Sequence, residues 1–351
     1  MRIADVCDSS AFAALYRPIA REIARHSPLT AKTLSATARV CPLGGFGILI
    51  RNRTVYTHRV SSGYETRAAS MLMLFYTALS DPAFVSTLSD TDFWITCHDT
   101  PPGDTTLPLM ALARRRPPNS NAPAVLAVPD FTFWSYPETR IGPYDRALRL
   151  IAEATSGLSL VQRTEKVFWR GNRCDRRDAL FDWGRRHPSI DDIAACRWEG
   201  PDKLCPNYVS MPDACRRRYL VHSIGRQGSY SSRLKYYMAC GSVPLVPQNM
   251  EFEEWWYHLL EPWVNHVPIN DDIEASIRAA MELPLDRQES IARNASTLIR
   301  NTVTRQGAIC YIRRLVSAYA AATVSVPPLP SGALLLDDAL ALNIRPILKW
   351  S

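Results

Sequence analysis

The sequence lacks three features that would assign it to a common class: zinc-type cysteine pairs, a long hydrophobic run and an apolar leader. Its nine cysteines form no Cys-x-x-Cys pair and no cysteine–histidine spacing of a zinc site. No stretch approaches the ~18 uncharged apolar residues that a membrane-spanning helix needs. Residues 1–7 contain no apolar signal core. We therefore expect neither a metal site nor a membrane span in this chain.

The composition is that of a globular protein of about two domains. Of the 351 residues, 46% are hydrophobic and 21% are charged, which is too apolar for a disordered chain. The net charge of +7 lies partly in three short arginine clusters, Arg114–Arg116, Arg185–Arg186 and Arg216–Arg218. Because no repeating aromatic pattern accompanies these clusters, we interpret them as solvated faces and expect no nucleic-acid partner.

Strand and helix patterns alternate along both halves of the chain. Apolar residues at helical spacing predict helices at 62–80, 143–156, 177 onward, 231–240, 251–260, 273–282, 285–300 and 306–322. Short β-rich runs predict strands at 93–97, 124–128, 166–169, 243–246 and 264–269. The alternation predicts two α/β domains with parallel sheets, over 1–160 and 161–325, and a tail over 326–351. Ligands bind such domains beyond the carboxyl ends of the strands.

The segment from Gly228 to Ser242 is typical of a phosphate site. A glycine and several hydroxyl residues precede a predicted helix that carries Arg233 and Lys235 in its first turns. The start of a helix offers unpaired N–H groups and a partial positive charge, and two cations would balance a diphosphate. An ordinary capped helix with solvated basic residues explains the same segment equally well.

Asp99 is a candidate general base. It follows a predicted strand that ends at Cys97, and a carboxylate there could remove a proton from an acceptor hydroxyl. Taken alone, a turn aspartate before Pro101 is the favoured interpretation. Asp92 is the next candidate for a base.

Another cluster follows the predicted strand at 166–169 and contains Arg170, Asn172, Arg173 and Arg177. Guanidinium groups bind phosphates through paired N–H donors, although Arg176 and Asp178 could equally make the cluster a structural ion-pair network.

Glu254 could accept hydrogen bonds from a ribose, but acidic residues at the start of a helix also interact favourably with the helix dipole. Three histidines have no partner at metal-ligand spacing and are interpreted as structural: His222, His258 and His266.

Three segments together resemble glycosyltransferase family 90, which holds the protein O-glucosyltransferases, the capsule-associated xylosyltransferase-like proteins and lipopolysaccharide-modifying relatives. The most specific runs from Gly228 to Trp263 and includes Ser-Ser-Arg-Leu-Lys-Tyr, Ala-Cys-Gly-Ser-Val-Pro and Glu-Trp-Trp-Tyr-His-Leu-Leu-Glu-Pro-Trp. The second is Phe-Trp-Arg-Gly-Asn-Arg at 168–173, and the third is Trp-Ile-Thr-Cys-His-Asp at 94–99. The resemblance extends over about residues 90–322.

The resemblance implies an α/β protein with a GT-B-like fold, in which two Rossmann-like domains with parallel sheets face a cleft. It implies an inverting transfer of a sugar, glucose or xylose, from a UDP-sugar to a hydroxyl of a protein or glycan, with no cofactor and no metal required. Asp99 would be the base. The residues that would hold the donor are Tyr136, Asn172, Arg177, Gly228, Ser229, Tyr230, Ser231, Ser232 and Arg233. Candidates for further donor contacts are Arg170, Arg173, Lys235 and Glu254, and Arg176 is the alternative to Arg177. A catalytically inactive family member that acts as a binding or scaffold protein is the alternative function.

The same resemblance implies a disulfide between Cys215 and Cys240, because related secretory enzymes have a bridge at the matching places. We therefore expect the lumen of the secretory pathway, endoplasmic reticulum or Golgi, as the location. The cytoplasm, with reduced thiols, is the alternative. Sequons at Asn52 and Asn294 would be glycosylated only in the first case.

Overall fold

The computed structural model describes residues 6–41, 44–60, 65–100, 106–116, 125–136, 139, 141–197, 205–225 and 230–343. Contacts divide the chain into two compact units. Unit 1 comprises residues 1–135, 252–257 and 305–351, and unit 2 comprises 136–251 and 258–304. This division differs from the domain boundaries expected from the sequence. The chain passes to unit 2 before residue 160, and it returns to unit 1 for its last long helix.

The helices are α1 (Ser10–Tyr16), α2 (Ile19–Ala24), α3 (Ala31–Val40), α4 (Glu65–Leu79), α5 (Pro82–Val85), α6 (Tyr144–Thr155), α7 (Asp178–Arg186), α8 (Met211–Ala214), α9 (Leu234–Ala239), α10 (Ile273–Glu282), α11 (Leu285–Asn301), α12 (Arg305–Ala322) and α13 (Leu336–Asn343). The strands are β1 (Phe46–Arg51), β2 (Thr54–His58), β3 (Thr91–Ile95), β4 (Met110–Ala111), β5 (Arg114–Arg115), β6 (Leu126–Ala127), β7 (Ser135–Tyr136), β8 (Ile141–Pro143), β9 (Thr164–Gly171), β10 (Asp191–Ala195), β11 (Arg217–Val221), β12 (Val243–Pro247), β13 (Phe252–Glu253), β14 (Val267–Ile269) and β15 (Leu334–Leu335).

Unit 1 contains a mixed sheet of order β15-β2-β1-β3-β4-β6. Strands β3, β4 and β6 are parallel, whereas β1 pairs antiparallel with both β2 and β3. Three of the five strand pairings in this sheet are therefore antiparallel, and the expected parallel pairing is limited to β3, β4 and β6. Asn52 and Arg53 join β1 to β2 with φ of 46° and 64°, and a two-residue turn can connect only antiparallel strands.

Helix α12 completes the core of unit 1. It packs against α1, α2 and α4, and its Tyr311 hydroxyl donates to the carbonyl of Ala127 in β6, at 3.2 Å. Aromatic rings of Phe93 and Tyr319 meet edge to face, with centroids 5.9 Å apart. The predicted tail is part of this unit, since β15 pairs with β2 and α13 packs against α4.

Unit 2 contains a five-stranded sheet of order β10-β9-β11-β12-β14 in which every pairing is parallel. Buried residues of β9, β11, β12 and β14 form one core with α7, α10 and α11. The chain runs from β9 outward to β10 and then returns to the other side of β9 as β11. The strand order therefore reverses between β9 and β11, which is where open α/β sheets bind ligands.

The α/β class is confirmed, with two sheet-containing units as expected for a GT-B-like protein. Most predicted helices and strands are also confirmed within a few residues. The helix predicted at 251–260 is wrong, because that segment forms β13 and a short 3₁₀ turn at Tyr257–Leu259. Three consecutive aromatic residues there, Trp255 to Tyr257, are all buried, which no amphipathic helix would allow. Within the described residues, no helix is both long and apolar enough to cross a membrane.

Candidate functional site

Arg177 connects the carboxyl ends of β9 and β11. Its Nε and Nη2 donate to the carbonyl of Ile224 at 3.1 and 2.6 Å, and its Nη1 donates to the carbonyl of Asn172. The residue is only 6% exposed, and burial together with the neighbouring charge of Arg233 lowers the pKa of its guanidinium to about 10. The group therefore stays cationic at neutral pH and fixes two loops at the point where the strand order reverses.

Arg233 lies beside Arg177, immediately before α9. Its guanidinium carbon is 5.4 Å from the Trp169 ring centre and 5.8 Å from that of Tyr237. Gly171 permits this approach, since a Cβ there would lie 2.8 Å from the Trp169 ring and 3.0 Å from Arg233 Nη2. Within the described part of the chain, the buried Nη1 of Arg233 has no hydrogen-bond partner. A buried donor without an acceptor is costly, and an anion would satisfy it.

His222 follows the end of β11 and faces the same cations. It is 2% exposed, and its Nδ1 has no hydrogen-bond partner among the described residues. Burial and the charges of Arg233, Arg177, Lys235 and His266 lower the pKa of His222 to about 3. The imidazole is therefore neutral at neutral pH. No spacing in the sequence marks this residue, and only its place after a central parallel strand could have indicated it.

Lys235 is fully buried in α9, and its Nζ donates to the carbonyl of Ser232 at 3.0 Å. The helix begins at Leu234, so Ser231 and Ser232 precede it and are half-buried, while Tyr230 is buried. Gly228 and Ser229, also expected to hold the donor, lie outside the described residues. The structure thus places Asn172 against Arg177, Arg233 near Arg177, and Ser232 against Lys235.

A pocket in unit 2 lies next to Arg233 and is lined by Phe168, Arg170, Tyr208, Met211, Arg233 and Tyr237 among others. The Arg170 guanidinium covers the Phe168 ring at 4.8 Å, but its Nη2 also pairs with Asp192 at 2.5 Å. Asp192 in turn accepts from Arg217 at 2.7 Å. Arg170 is therefore held in an ion-pair network at one wall of the pocket.

The remaining predicted donor residues are more peripheral to this cluster. Arg173 is exposed and pairs with Asp178 at 3.1 Å, and Arg176 is exposed and pairs with Glu251 at 3.4 Å. Of the two alternatives left by the sequence, Arg177 is thus the one at the carboxyl ends of the strands. Tyr136 lies in β7, which pairs with β8.

Asp99 lies in unit 1, four residues beyond the end of β3. Its Oδ1 is 2.7 Å from Nη1 of Arg67, and the carboxylate side chain is 51% exposed. The Arg67 guanidinium is itself placed 4.8 Å above the Phe131 ring. The ion pair orients an accessible carboxylate just after a central strand.

Asp92, the alternative base, is inside β3 and almost fully buried. Both of its oxygens accept from Arg51, at 2.5 and 3.0 Å. Burial raises the pKa of this carboxyl, and Arg51 opposes the rise. Asp92 is thus part of a buried structural ion pair.

Glu254 is buried in unit 1, where its carboxylate accepts from Trp256 Nε1 and the Tyr257 hydroxyl, both at 3.1 Å. Burial is the largest cause of the raised pKa of the Tyr257 hydroxyl, and the negative charge of Glu254 adds to it.

The preceding Glu253 pairs with Arg114 at 2.6 Å. Arg114 also pairs with the buried Glu22, so the interpretation of its cluster as a solvated face is wrong for this arginine.

The predicted disulfide between Cys215 and Cys240 is confirmed, and both cysteines are fully buried. It links Cys215, two residues before β11, to Cys240 at the end of α9, and the following Gly241 has a φ of 67°. Two further disulfides are Cys7–Cys310 and Cys196–Cys205.

Across the described ranges, no group of three or more histidine, cysteine or acidic side chains is placed to hold a metal ion.

The sequence model of "Glycosyl transferase family 90" matches residues 8–346. The chain belongs to this family. It is 28% identical over 210 residues to O-glucosyltransferase rumi of Drosophila pseudoobscura pseudoobscura, covering 54% of this chain and 50% of that protein. It is 25% identical over 210 residues to human protein O-glucosyltransferase 1, covering 54% and 52%. The chain thus spans about half the length of the curated relatives it matches.

The fold was also compared with the solved structure of Anabaena Alr3699/HepE in complex with UDP-glucose. The two structures superpose over 43% of this chain and 48% of the Anabaena chain, with 13% sequence identity and a TM-score of 0.26. A similarity of that size carries no conclusion about this chain. The family membership thus places the chain among the glycosyltransferases.

Proposed function

We propose that this chain is an inverting glycosyltransferase that moves glucose or xylose from a UDP-sugar to a hydroxyl of a protein or glycan. The observation that carries the proposal is the convergence of Arg177 and Arg233 at the point where the parallel sheet of unit 2 reverses its order. The two relatives compared above are named O-glucosyltransferases, and one of them a protein O-glucosyltransferase, which supports glucose and a protein acceptor.

The diphosphate of the donor is the anion that suits this cluster. Arg177 is cationic and fixed by three hydrogen bonds to carbonyls, while Arg233 keeps one buried donor nitrogen without a partner. Guanidinium groups give short, charge-assisted hydrogen bonds to phosphate oxygens. The carbonyls of Asn172 and Ser232 accept hydrogen bonds from Arg177 and Lys235. The further donor residues are assigned by family resemblance: Tyr136, Gly228, Ser229, Tyr230 and Ser231. Charge balance then comes from protein side chains, and we expect no metal or other cofactor to be required.

Asp99 serves as the general base in this proposal. Its carboxylate takes the proton of the acceptor hydroxyl, the hydroxyl oxygen bonds to the anomeric carbon from the face opposite the leaving group, and the bond to the UDP oxygen breaks. The sugar therefore inverts and UDP leaves with its electron pair. Two observations support this assignment: the Asp99 carboxylate is exposed, and its ion pair with Arg67 orients it.

Thermal unfolding with UDP, UDP-glucose and UDP-xylose tests the donor, since a ligand bound only by the folded state raises its stability. No stabilisation by any of the three would overturn the proposal. Donor turnover with protein and glycan acceptors then identifies the reaction. Binding without turnover would instead assign the chain to the alternative, an inactive family member with a binding or scaffold role.

We further propose the lumen of the secretory pathway as the location. Three disulfides among the described residues support an oxidising compartment, because such bonds are rare in the cytosol. Mass spectrometry of unreduced peptides from the native cell tests this. Free thiols at Cys215 and Cys240, with Asn52 and Asn294 unglycosylated, would favour the cytoplasm.

A further inference from the structure

His222 occupies a position that a purely structural histidine rarely has. It is buried at the carboxyl end of a central strand, where its backbone N–H donates to the carbonyl of Leu245 at 2.8 Å. Its ring, by contrast, has an Nδ1 without a hydrogen-bond partner in the described chain. Buried polar side-chain atoms are nearly always hydrogen-bonded, so an unsatisfied ring nitrogen next to a candidate ligand site needs an explanation.

Four basic groups on neighbouring elements act on the charge of His222. Arg233 and Lys235 approach from the start of α9, Arg177 from the loop after β9, and His266 from the residue before β14. Burial is the largest cause of the lowered pKa of His222, and each of these groups adds to it by disfavouring a positive charge on the imidazole. The free site therefore holds a neutral histidine that is both buried and next to positive charge.

An incoming diphosphate changes this balance. Two negative charges placed against Arg177 and Arg233 would cancel much of the positive field at the imidazole and would favour its cationic form. We propose that His222 belongs to the donor site and takes up a proton when the nucleotide-sugar diphosphate binds. The proton comes from solvent and bonds to a ring nitrogen lone pair, which makes the imidazole cationic. No covalent bond of the donor changes in this step.

This inference rests on the proposed function, and isothermal calorimetry separates the two. UDP-glucose is the probe, with UDP-xylose as the second donor, because a diphosphate diester does not itself titrate near neutral pH. Titrations at pH 6 in buffers of different ionisation enthalpy give the number of protons taken up. We expect uptake of a fraction of a proton, up to about one, and tighter binding at pH 6 than at pH 8, by up to about tenfold per pH unit.

The variant His222→Gln should still bind the donor but with no proton uptake and no such pH dependence. His258→Gln is the matched control, since His258 is an exposed histidine of the same unit, and it should behave as the unchanged protein. Should the glutamine variant fail to fold, the unchanged protein alone decides, because donor binding without proton uptake between pH 5.5 and 7.5 overturns the inference. Uptake that persists in His222→Gln also overturns it. No binding of either donor overturns the proposed function, and this inference with it.

Discussion

The carboxylate of Asp99 lies 2.7 Å from the guanidinium of Arg67, which rests on the face of Phe131. Stacking on the aromatic ring limits the orientations of the Arg67 guanidinium. Because the Asp99 carboxylate is paired with this guanidinium, its orientation is limited as well. Arg67 is thus the residue that orients the proposed base.

The variant Asp99→Asn should keep donor binding and lose most transfer, by ~10²–10⁴-fold if Asp99 supplies general-base catalysis. The amide cannot accept the acceptor's proton, although it nearly preserves the size of the side chain. UDP binding by calorimetry and transfer by product analysis are the two measurements. Near-normal transfer would show that the base lies elsewhere, and Asp92, which is committed to Arg51, would be a poor substitute.

Arg233→Ala should weaken UDP binding more than uridine binding, since it removes a charge-assisted phosphate contact worth roughly 1.5–3 kcal/mol. Arg177→Ala should do the same and also lower thermal stability, because it frees the carbonyls of Ile224 and Asn172. Arg173→Ala is the control, as its exposed side chain pairs with Asp178 and lies over the Phe181 ring. Equal loss for uridine and UDP would assign Arg233 to the fold.

Acid should destabilise the folded protein partly through His222. An unfolded histidine gains a proton below its ordinary pKa of 6.5, whereas folded His222 stays neutral down to about pH 3. Because the unfolded state then binds more protons, stability is lost as the pH falls from 6.5 towards 3, by up to about 1.4 kcal/mol per pH unit.

His222→Gln removes this titration. Its stability relative to the unchanged protein should therefore improve by about 2 kcal/mol between pH 7.5 and pH 5. Thermal unfolding of both proteins at the two pH values measures the difference. A gap between them that stays constant with pH would contradict the assignment of a neutral, buried His222.

Breaking the Cys215–Cys240 bridge should cost about 3 kcal/mol of stability, the value expected for closing a loop of this size. The double change Cys215→Ser with Cys240→Ser should lower the melting temperature in non-reducing buffer and weaken UDP binding, because α9 carries Lys235 and follows Arg233. Cys174→Ser, at a cysteine outside the three disulfides, is the control and should do neither. An unchanged melting temperature for the double variant would show that the bridge contributes little.

The candidate donor site could be anticipated from the sequence because its parts are local. Asn172 and Arg177 follow one strand, and Arg233 precedes a short helix. Parallel strands bring such loops to one edge of a sheet, so separate segments converge without any long-range information. The long helices α11 and α12 were likewise predictable, since their apolar spacing extends over several turns.

Other features depended on pairing between distant segments. The mixed sheet of unit 1 follows from a two-residue turn at Asn52, and β13 pairs with β5, more than 130 residues earlier in the chain. The segment 251–260 does not form the predicted helix, because it pairs with β5 as β13 and because its three consecutive aromatic residues are all buried. His222 was missed because its significance comes from four basic groups that only the folded chain assembles.

The bond between Cys7 and Cys310 joins residues 303 positions apart and closes the chain between them into a covalent ring. One protease cut in any loop within that ring opens it without releasing a fragment. A nicked molecule would keep its full mass on a non-reducing gel and separate into two pieces only after reduction. Survival of the activity after such a cut would then depend on the integrity of this bond rather than on an unbroken backbone.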